Sequence, residues 1–306
     1  MTNEYQKARR TAIDTDANPP SDDLLTGAYD IHIHAGPDIV PRSVDFLTVG
    51  RDAVAHGMAG VVFKDIGQPT IDRAYAVRAA FPDLHAVGGI VLDRPVGGLN
   101  PAAVERSLRL GGRFVWMPVS DARHTVSLYA QGTLRLVLPP ALTRDSAFAV
   151  TDETGELRED VRAILRLIAE HDAVLGTGHI SPEEAVILVA DARAAGVRRI
   201  VVNHPCGTSI GASIAQQQAM ARHGAFLEHC YAQTTAGLDG VPMQTIADAI
   251  RAVGAQSCVL ATDLGQTFNP TPVQGFHRFM RDLLDLGLSR DDIALMTRDN
   301  PGTLLS

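Results

Sequence analysis

The amino-acid sequence predicts one α/β domain that forms a (β/α)8 TIM barrel, with a hairpin-like insertion after the fourth strand. Short runs rich in Val, Ile and Leu alternate with longer helical patterns, which is typical of βα units and a parallel sheet. The length of 306 residues also suits one such barrel. An open doubly wound sheet is the alternative, because the pattern alone does not show the order of the strands.

Eight strands are predicted, and most of them lack the polar alternation of a sheet with one face in water. In chain order they span Tyr29–His34, Gly60–Lys64, His85–Leu92, Arg113–Pro118, Ala173–Thr177, Arg199–Asn203, Ala225–His229 and Cys258–Ala261. The helices between them carry start signals, since Asn100 precedes Pro101 and Ser181 precedes Glu184 by three residues as in a capping box.

One segment departs from the alternation, between the fourth strand and its helix. Here Ser120–Gly155 holds two apolar runs, Leu134–Leu138 and Ala147–Val150, with Pro139–Pro140 between them. We expect a hairpin-like excursion over the top of the barrel, where such segments often cover active sites. Residues 1–25 form a polar N-terminal lead-in without the apolar region of a signal peptide, and residues 26–306 form the barrel domain.

The composition indicates which classes of binding partner and which cell compartment to expect. The formal net charge is −8 and no dense basic patch occurs, which argues against nucleic acid. No apolar run approaches the length that crosses a membrane. The three cysteines are scattered and lack C-x-x-C spacing, so a reducing cytoplasm is the expected compartment. We expect a cytoplasmic homo-oligomer that acts on a small-molecule substrate.

A pair of histidines closes the first predicted strand. Side chains alternate between the faces of a strand, so His32 and His34 point the same way, into the mouth of a barrel. Two neutral imidazoles that converge on one point suit a borderline divalent cation, with Zn²⁺ first and Mn or Fe as alternatives. A single strand histidine is more often a core residue, but the paired spacing favours a metal site.

Three later strand ends strengthen the prediction of a metal site. The fifth strand runs into His179, the sixth into His204, and the eighth into Asp263. Each residue alone could be a loop cap. In a barrel, however, the carboxyl ends of all strands surround the same mouth, so we expect the three side chains to lie near the histidine pair.

Two further strand ends carry charged residues. Lys64, at the end of the second strand, either extends its amine into solvent or faces the metal, as a cation for an anionic substrate or as a carbamylated oxygen ligand. In the seventh strand we expect Glu228 to point inward, as an outer-shell group or a substrate contact.

Candidate substrate contacts come from loops and one strand near the mouth. Arg42 follows the histidine pair, Arg94 follows the third strand, and Trp116 lies in the fourth. Guanidinium groups bind carboxylates through two parallel hydrogen bonds, so the arginines and Lys64 favour a small polar or anionic substrate. The alternative is that the loop arginines are only solvated.

The ordered motifs resemble the amidohydrolase superfamily over about residues 26–306. They are D-I-H-I-H at the first strand, G-H after the fifth, N-H-P after the sixth, T-D after the eighth, and D-N-P-G-T-L-L near the end. The segments H-A-G-P, V-F-K, G-G-I-V-L-D-R-P-V-G-G-L-N-P and V-W-M-P are similar to an uncharacterised bacterial branch of metal-dependent hydrolases.

The resemblance implies roles for the matching positions. His32, His34 and His179 would be metal ligands, and His204 a second-metal ligand or a catalytic imidazole. Asp263 would bind metal and act as the base towards the attacking water. The implied reaction is attack of a metal-bound hydroxide on a C–N or C–O bond of an amide, lactone or cyclic amide.

One position departs from the superfamily pattern. Binuclear members usually place a carbamylated Lys or a Glu at the end of the fourth strand, where this chain has Val115–Pro118. The site therefore holds one metal, or two if Lys64 takes the bridging role. Two alternatives to a hydrolase stay open. The first is a mononuclear-metal non-oxidative decarboxylase or lyase on the same scaffold, and the second is a non-catalytic barrel that binds a metal or ligand.

Overall fold

The computed structural model describes residues 23–134 and 146–306, and within them nine parallel strands alternate with helices. The strands are β1 Tyr29–Ile33, β2 Gly60–Phe63, β3 His85–Val87, β4 Gly89–Val91, β5 Phe114–Trp116, β6 Val174–Gly176, β7 Arg199–Asn203, β8 Phe226–Cys230 and β9 Cys258–Ala261. The helices are α1 Phe46–Ala55, α2 Ile71–Ala80, α3 Pro101–Arg109, α4 Arg123–Ala130, α5 Glu159–Glu170, α6 Pro182–Ala194, α7 Ile214–Arg222, α8 Met243–Val253, α9 Pro272–Asp285, α10 Arg290–Ala294 and α11 Asn300–Leu305.

The strands close into a barrel. Strands β1 to β3 pair in sequence order, and so do β4 to β9. Only Gly88 separates β3 from β4, so these two short strands together occupy the third of eight positions; a Cβ on Gly88 would lie 2.4 Å from the carbonyl oxygen of Thr70. The ring closes between its ends, where Asp263 N donates to His32 O at 2.8 Å and His34 N donates to Leu264 O at 2.8 Å. The predicted (β/α)8 barrel is confirmed.

Two apolar layers stabilise this ring. The interior is filled by strand residues such as Ile31, Val62 and Phe114, and a larger layer lies between the strands and the surrounding helices. Helix α9 shows how a helix joins the outer layer: Phe276, Phe279, Met280 and Leu283 recur at helical spacing and are all buried. Removing each such side chain from water contributes about 1.5–3 kcal/mol.

The predicted helix starts are present. The Asn100 side chain caps α3 by accepting from Ala102 N and Ala103 N. Ser181 and Glu184 form the predicted capping box at the start of α6. No helix of the described residues is long and apolar enough to cross a membrane.

The insertion after the fourth barrel position begins with helix α4. Its returning part runs beside the loop that follows β5, because Phe148 N donates to Asp121 O at 2.8 Å. Residues 135–145, which hold most of the first apolar run and the proline pair of the predicted hairpin, lie outside the described residues. The hairpin-like form therefore stays a prediction, and so does the polar lead-in, of which residues 1–22 also lie outside the described residues.

Candidate metal centre

A bulge in β1 directs the first two histidines. Asp30 pairs with Val61 and Ile33 pairs with Phe63, so β1 places two residues opposite one residue of β2. This extra residue lets Ile31 fill the barrel interior while His32 still points into the mouth. The buried Asp30 carboxylate holds the bulge by accepting from the backbone N–H of His32 at 3.2 Å.

The carboxylate of Asp263 bridges the two histidines of β1. Its Oδ1 atom lies 3.1 Å from His32 Nε2 and 3.1 Å from His34 Nε2. All three residues are buried or nearly so, and their ligand atoms lie close enough together to hold one metal ion.

A second pair of imidazoles stands across the mouth. His179 follows β6 and His204 follows β7, and their Nε2 atoms lie 3.1 Å apart. The ring centroids of His32 and His204 are 6.0 Å apart, so this pair and the first one face the same space. His204 and Asp263 both adopt positive φ angles, 26° and 53°. Such backbone is unfavourable for residues other than glycine and is typical of functional sites.

The electrostatics of the centre fit a bound cation. Burial disfavours a charged imidazole, yet the carboxylates of Asp263 and Glu228 outweigh it and raise the pKa of His32 to about 9. Burial and the Arg42 guanidinium lower the pKa of His34 to about 4. Burial alone would raise the pKa of Asp263, but His32 and His34 hold it well below its usual range. A divalent cation at the same point would supply the positive charge that a proton on His32 supplies without it.

The nitrogen spacing also agrees with a metal centre. Two nitrogens that each lie about 2.1 Å from one cation are about 3.0 Å apart at a right angle and about 3.4 Å apart in the tetrahedral geometry of zinc. The separation of 3.1 Å between His179 Nε2 and His204 Nε2 lies within this range. Burial, and then His204, lower the pKa of His179 well below its usual range, so its imidazole is neutral, as a ligand must be.

Glu228 lies behind His32, away from the mouth. Its Oε2 atom accepts from His32 Nδ1 at 3.1 Å and from Asn203 Nδ2 at 2.6 Å. Asn203 in turn accepts from the backbone N–H of Gly178 at 2.8 Å. Glu228 points inward as expected, but it does not line the cavity, so its position fits an outer-shell group and not a substrate contact.

Lys64 reaches the centre from β2. It is 1% exposed and lines the cavity, which is the inward orientation and not the solvated one. Its Nζ atom lies 5.5 Å from the centroid of the Trp116 ring. Burial lowers the pKa of Lys64, and the nearby carboxylates of Asp263 and Glu228 oppose that shift.

The predicted substrate contacts separate into two groups. Arg42 lines the cavity; its Nε atom donates to Asp38 at 2.7 Å, and its Nη2 atom lies 3.4 Å from His34 Nδ1. Arg94 is exposed in the loop after β4 and does not line the cavity, so its substrate contact stays a prediction. Trp116 also lies outside the cavity lining: it faces the interior below the mouth, with Lys64 Nζ over its ring, and its substrate contact likewise stays a prediction.

Several cavity residues gave no sequence signal. The cavity over the centre measures about 140 Å³, and Val40, Ile66, Val119, Leu134 and Leu238 give it an apolar wall. Gln233 donates to Asp263 Oδ2 at 2.9 Å, and Gln266 donates to the Asp263 carbonyl oxygen at 2.8 Å. Gln233 lies in the one-turn 3-10 helix Tyr231–Thr234 and Gln266 lies in the loop after β9. Neither segment is long enough for periodicity to predict which way a side chain points.

Comparisons with known proteins agree with this architecture. The model of the family described as "Family of unknown function (DUF6282)" matches residues 27–228, and no curated protein matches the chain. Among solved structures, the organophosphorus hydrolase from Deinococcus radiodurans is 15% identical, with a TM-score of 0.58 over 93% of this chain and 94% of that one. A 2,6-dihydroxybenzoate decarboxylase from Rhizobium is 13% identical, with a TM-score of 0.54 over 92% and 98%. A mutant of a PTE-like lactonase from Deinococcus radiodurans is 15% identical, with a TM-score of 0.56 over 93% and 97%. These likenesses show the fold.

Proposed function

Because the chain belongs to DUF6282, a family of unknown function, we propose its function from the site itself: a metal-dependent hydrolase of the amidohydrolase superfamily. The observation that carries the proposal is the convergence of four histidines and one aspartate at the mouth of the barrel, in two groups with ligand atoms 3.1 Å apart. The solved structures with the same fold include an organophosphorus hydrolase and a lactonase, which supports the class of reaction.

The residues that would hold the metal are His32, His34 and Asp263 on one side and His179 and His204 on the other. When bound, a divalent cation lowers the pKa of a coordinated water and polarises a carbonyl oxygen. We propose Zn²⁺ first, with Mn or Fe as alternatives, because imidazole and carboxylate suit all three.

Asp263 is the proposed proton acceptor. Its low pKa keeps it ionised at neutral pH, and its Oδ1 atom faces the histidines while Gln233 fixes Oδ2. A carboxylate held in this way can accept a proton from a nucleophilic water and pass it to the leaving group. His204 is the second candidate for proton transfer, because it stands across the mouth with a neutral imidazole.

The cavity suggests a small substrate. Its volume of about 140 Å³ and its apolar wall suit a compact amide, lactone or cyclic amide. Arg42 at the rim is the proposed contact for an anionic group of the substrate, since its Nη atoms extend beyond the bond from Nε to Asp38.

Turnover and metal content test the proposal together. Protein purified without chelator should contain a divalent metal and should hydrolyse members of a panel of small lactones and amides. Asp263→Asn should lower the hydrolysis rate by about 10²–10⁴-fold, the usual contribution of a positioned acid or base. The control is His223→Ala, which changes an exposed histidine at the end of α7. Metal without turnover of any compound would favour a non-catalytic barrel.

A decarboxylase is the second candidate, and one observation favours it. The fourth barrel position, Val115–Pro118, offers no carboxylate or lysine that could bridge two ions, so the site can be mononuclear. A solved structure with the same fold is a 2,6-dihydroxybenzoate decarboxylase. Release of CO₂ from small aromatic acids, without hydrolysis of lactones or amides, would overturn the hydrolase in favour of this reaction.

The number of metals is tested at Lys64. Two metals per chain, with a carbamate signal in ¹³C NMR after incubation with ¹³C-bicarbonate, would support Lys64 as an oxygen ligand between two ions. One metal and a free amine would support the mononuclear site. Lys64→Met should leave one metal in either case, because it removes the side chain that would bridge.

A further inference from the structure

A buried chain of hydrogen bonds runs behind the metal centre. It passes from His32 Nδ1 to Glu228 Oε2 at 3.1 Å, from Glu228 Oε2 to Asn203 Nδ2 at 2.6 Å, and from Asn203 Oδ1 to the backbone N–H of Gly178 at 2.8 Å. The side-chain members are at most 1% exposed, and none of them but His32 lines the cavity. The chain joins four barrel elements, β1, β8, β7 and the loop after β6.

The donors and acceptors along this chain have one consistent assignment. The backbone N–H of Gly178 can only donate, so it fixes Oδ1 of Asn203 on its side and turns Nδ2 towards Glu228. The carboxylate accepts from Nδ2 and has a further lone pair for the proton on His32 Nδ1. When Nε2 binds a cation, His32 is therefore held with its one proton on Nδ1, and Nε2 is directed at Asp263.

This tautomer is the one a metal ligand requires. A histidine that binds a cation through Nε2 keeps its proton on Nδ1 and donates it to a carboxylate or carbonyl, which also fixes the plane of the ring. His34 has the opposite surroundings, because the Arg42 guanidinium, which can only donate, lies 3.4 Å from its Nδ1. Of the two β1 histidines, therefore, only His32 has an acceptor that keeps the proton on Nδ1.

Asn203 is connected to more of the proposed ligands than the His32 imidazole. Through Glu228 it acts on His32, through the Gly178 backbone it holds the residue before His179, and along its own strand it precedes His204. Its backbone N–H also donates to Thr177 Oγ1 at 3.1 Å, which ties β7 to the end of β6. A single buried amide thereby connects three of the five proposed ligand positions.

We propose that Glu228 and Asn203 are positioning residues that set the tautomer of His32 and hold the two halves of the metal centre in register. This inference rests on the proposed function, since it assigns these residues to the same metal site. Neither residue touches substrate: Glu228 acts through the His32 ring, and Asn203 acts through Glu228 and the Gly178 backbone.

Removing the shared acceptor provides a sharp test. Oε2 of Glu228 accepts from both His32 Nδ1 and Asn203 Nδ2, so Glu228→Met removes both hydrogen bonds, and Asn203→Asp sets a second carboxylate against Glu228. Each of these two variants should bind Zn²⁺ about 10–100-fold more weakly than wild type, the usual cost of losing such a partner. Glu228→Gln is the conservative variant, because its amide oxygen can take the place of Oε2 and accept from both groups. It should keep an affinity within about fivefold of wild type.

Zn²⁺ affinity is measured by competition with a chromophoric chelator, and the His32 tautomer by ¹⁵N NMR of the imidazole nitrogens in the Zn²⁺-loaded protein. A role in folding alone would change stability without moving the tautomer signal. Asn300→Asp is the matched control, because Asn300 is also buried and donates to Ala255 O and Cys258 O, away from the centre. It should leave Zn²⁺ affinity within twofold of wild type.

The outcomes separate this inference from the proposed function. Wild-type protein that binds no divalent metal overturns the proposed function and the inference with it. Wild-type protein that binds Zn²⁺, with Glu228→Met and Asn203→Asp variants that keep both the affinity within twofold and the Nδ1–H tautomer of His32, overturns the inference alone. A Glu228→Gln variant that loses as much affinity as Glu228→Met also contradicts the inference, because the acceptor at Oε2 would then not be what matters.

Discussion

Asp93 should make the stability of the metal-free protein depend on pH. This residue follows β4, is 1% exposed, and accepts from Val119 N at 2.8 Å, Ser120 N at 3.0 Å and Asp121 N at 3.2 Å. Burial raises its pKa to about 7, the Asp121 carboxylate adds to the rise, and the three backbone N–H groups oppose it. Because Val119 and Ser120 line the cavity, this carboxyl group supports one wall of the site.

The sign follows from the raised pKa. A folded-state pKa of about 7, against an ordinary value near 3.8, means that the folded protein holds this proton more tightly than the unfolded chain does. The stabilisation is fully present below about pH 4 and is lost as the pH rises through about 7. Between pH 5 and pH 8 the free energy of unfolding should fall by about 3 kcal/mol through this group alone.

Urea unfolding of wild type and Asp93→Asn, with chelator present, isolates this contribution. Asparagine does not titrate, so the difference in unfolding free energy between the two proteins should change by about 3 kcal/mol from pH 5 to pH 8. The variant itself should be less stable at pH 5, because its amide N–H₂ meets a backbone donor. A difference that stays constant across this range would refute the reasoning, because all other titrating groups are common to both proteins.

Three further results are expected. His34→Ala should abolish metal retention, measured by elemental analysis, while circular dichroism shows an intact barrel; unchanged metal content would show that the β1 assignment is wrong. Gly265→Ala should lower both the melting temperature and the Zn²⁺ affinity, because φ is +143° there and a Cβ would lie 1.9 Å from His34 O; wild-type affinity would contradict this. Phe276→Ala should cost about 3–5 kcal/mol in urea unfolding because its ring is fully buried, and a loss below about 1 kcal/mol would contradict close packing in the outer layer.

The fold follows from the sequence because parallel barrel strands are covered on both sides and so form continuous apolar runs. The strands at Arg199–Asn203 and Cys258–Ala261 have the predicted bounds, and the others differ at their ends. The third predicted strand is divided at Gly88, where the backbone passes close to Thr70. That division depends on a contact between distant segments, which no local pattern contains.

The site was predictable where strand ends alone decide position. His179, His204 and Asp263 meet the β1 histidines because a barrel brings all its carboxyl ends to one mouth. The alternation of side chains along a strand predicts that Trp116 faces inward. It does not predict the height of a residue along the barrel axis, and Trp116 lies below the cavity. The role of Asn203 does not follow from the N-H-P motif for a related reason, since a buried amide next to a histidine gives no spacing signal.

The charge state of Lys64 is linked to the number of metal ions that the centre holds. The indole of Trp116 occupies the interior at the fourth barrel position, and the Lys64 amine lies 5.5 Å from its centroid, beside both histidine groups. An ammonium here would repel a second divalent cation, because little water remains to screen the two charges. Burial lowers the pKa of Lys64 and so favours the neutral amine, the form that reacts with CO₂. A two-metal centre in this barrel therefore requires Lys64 in its carbamylated, negatively charged form. A one-metal centre requires only that Lys64 lose its proton or keep a carboxylate partner.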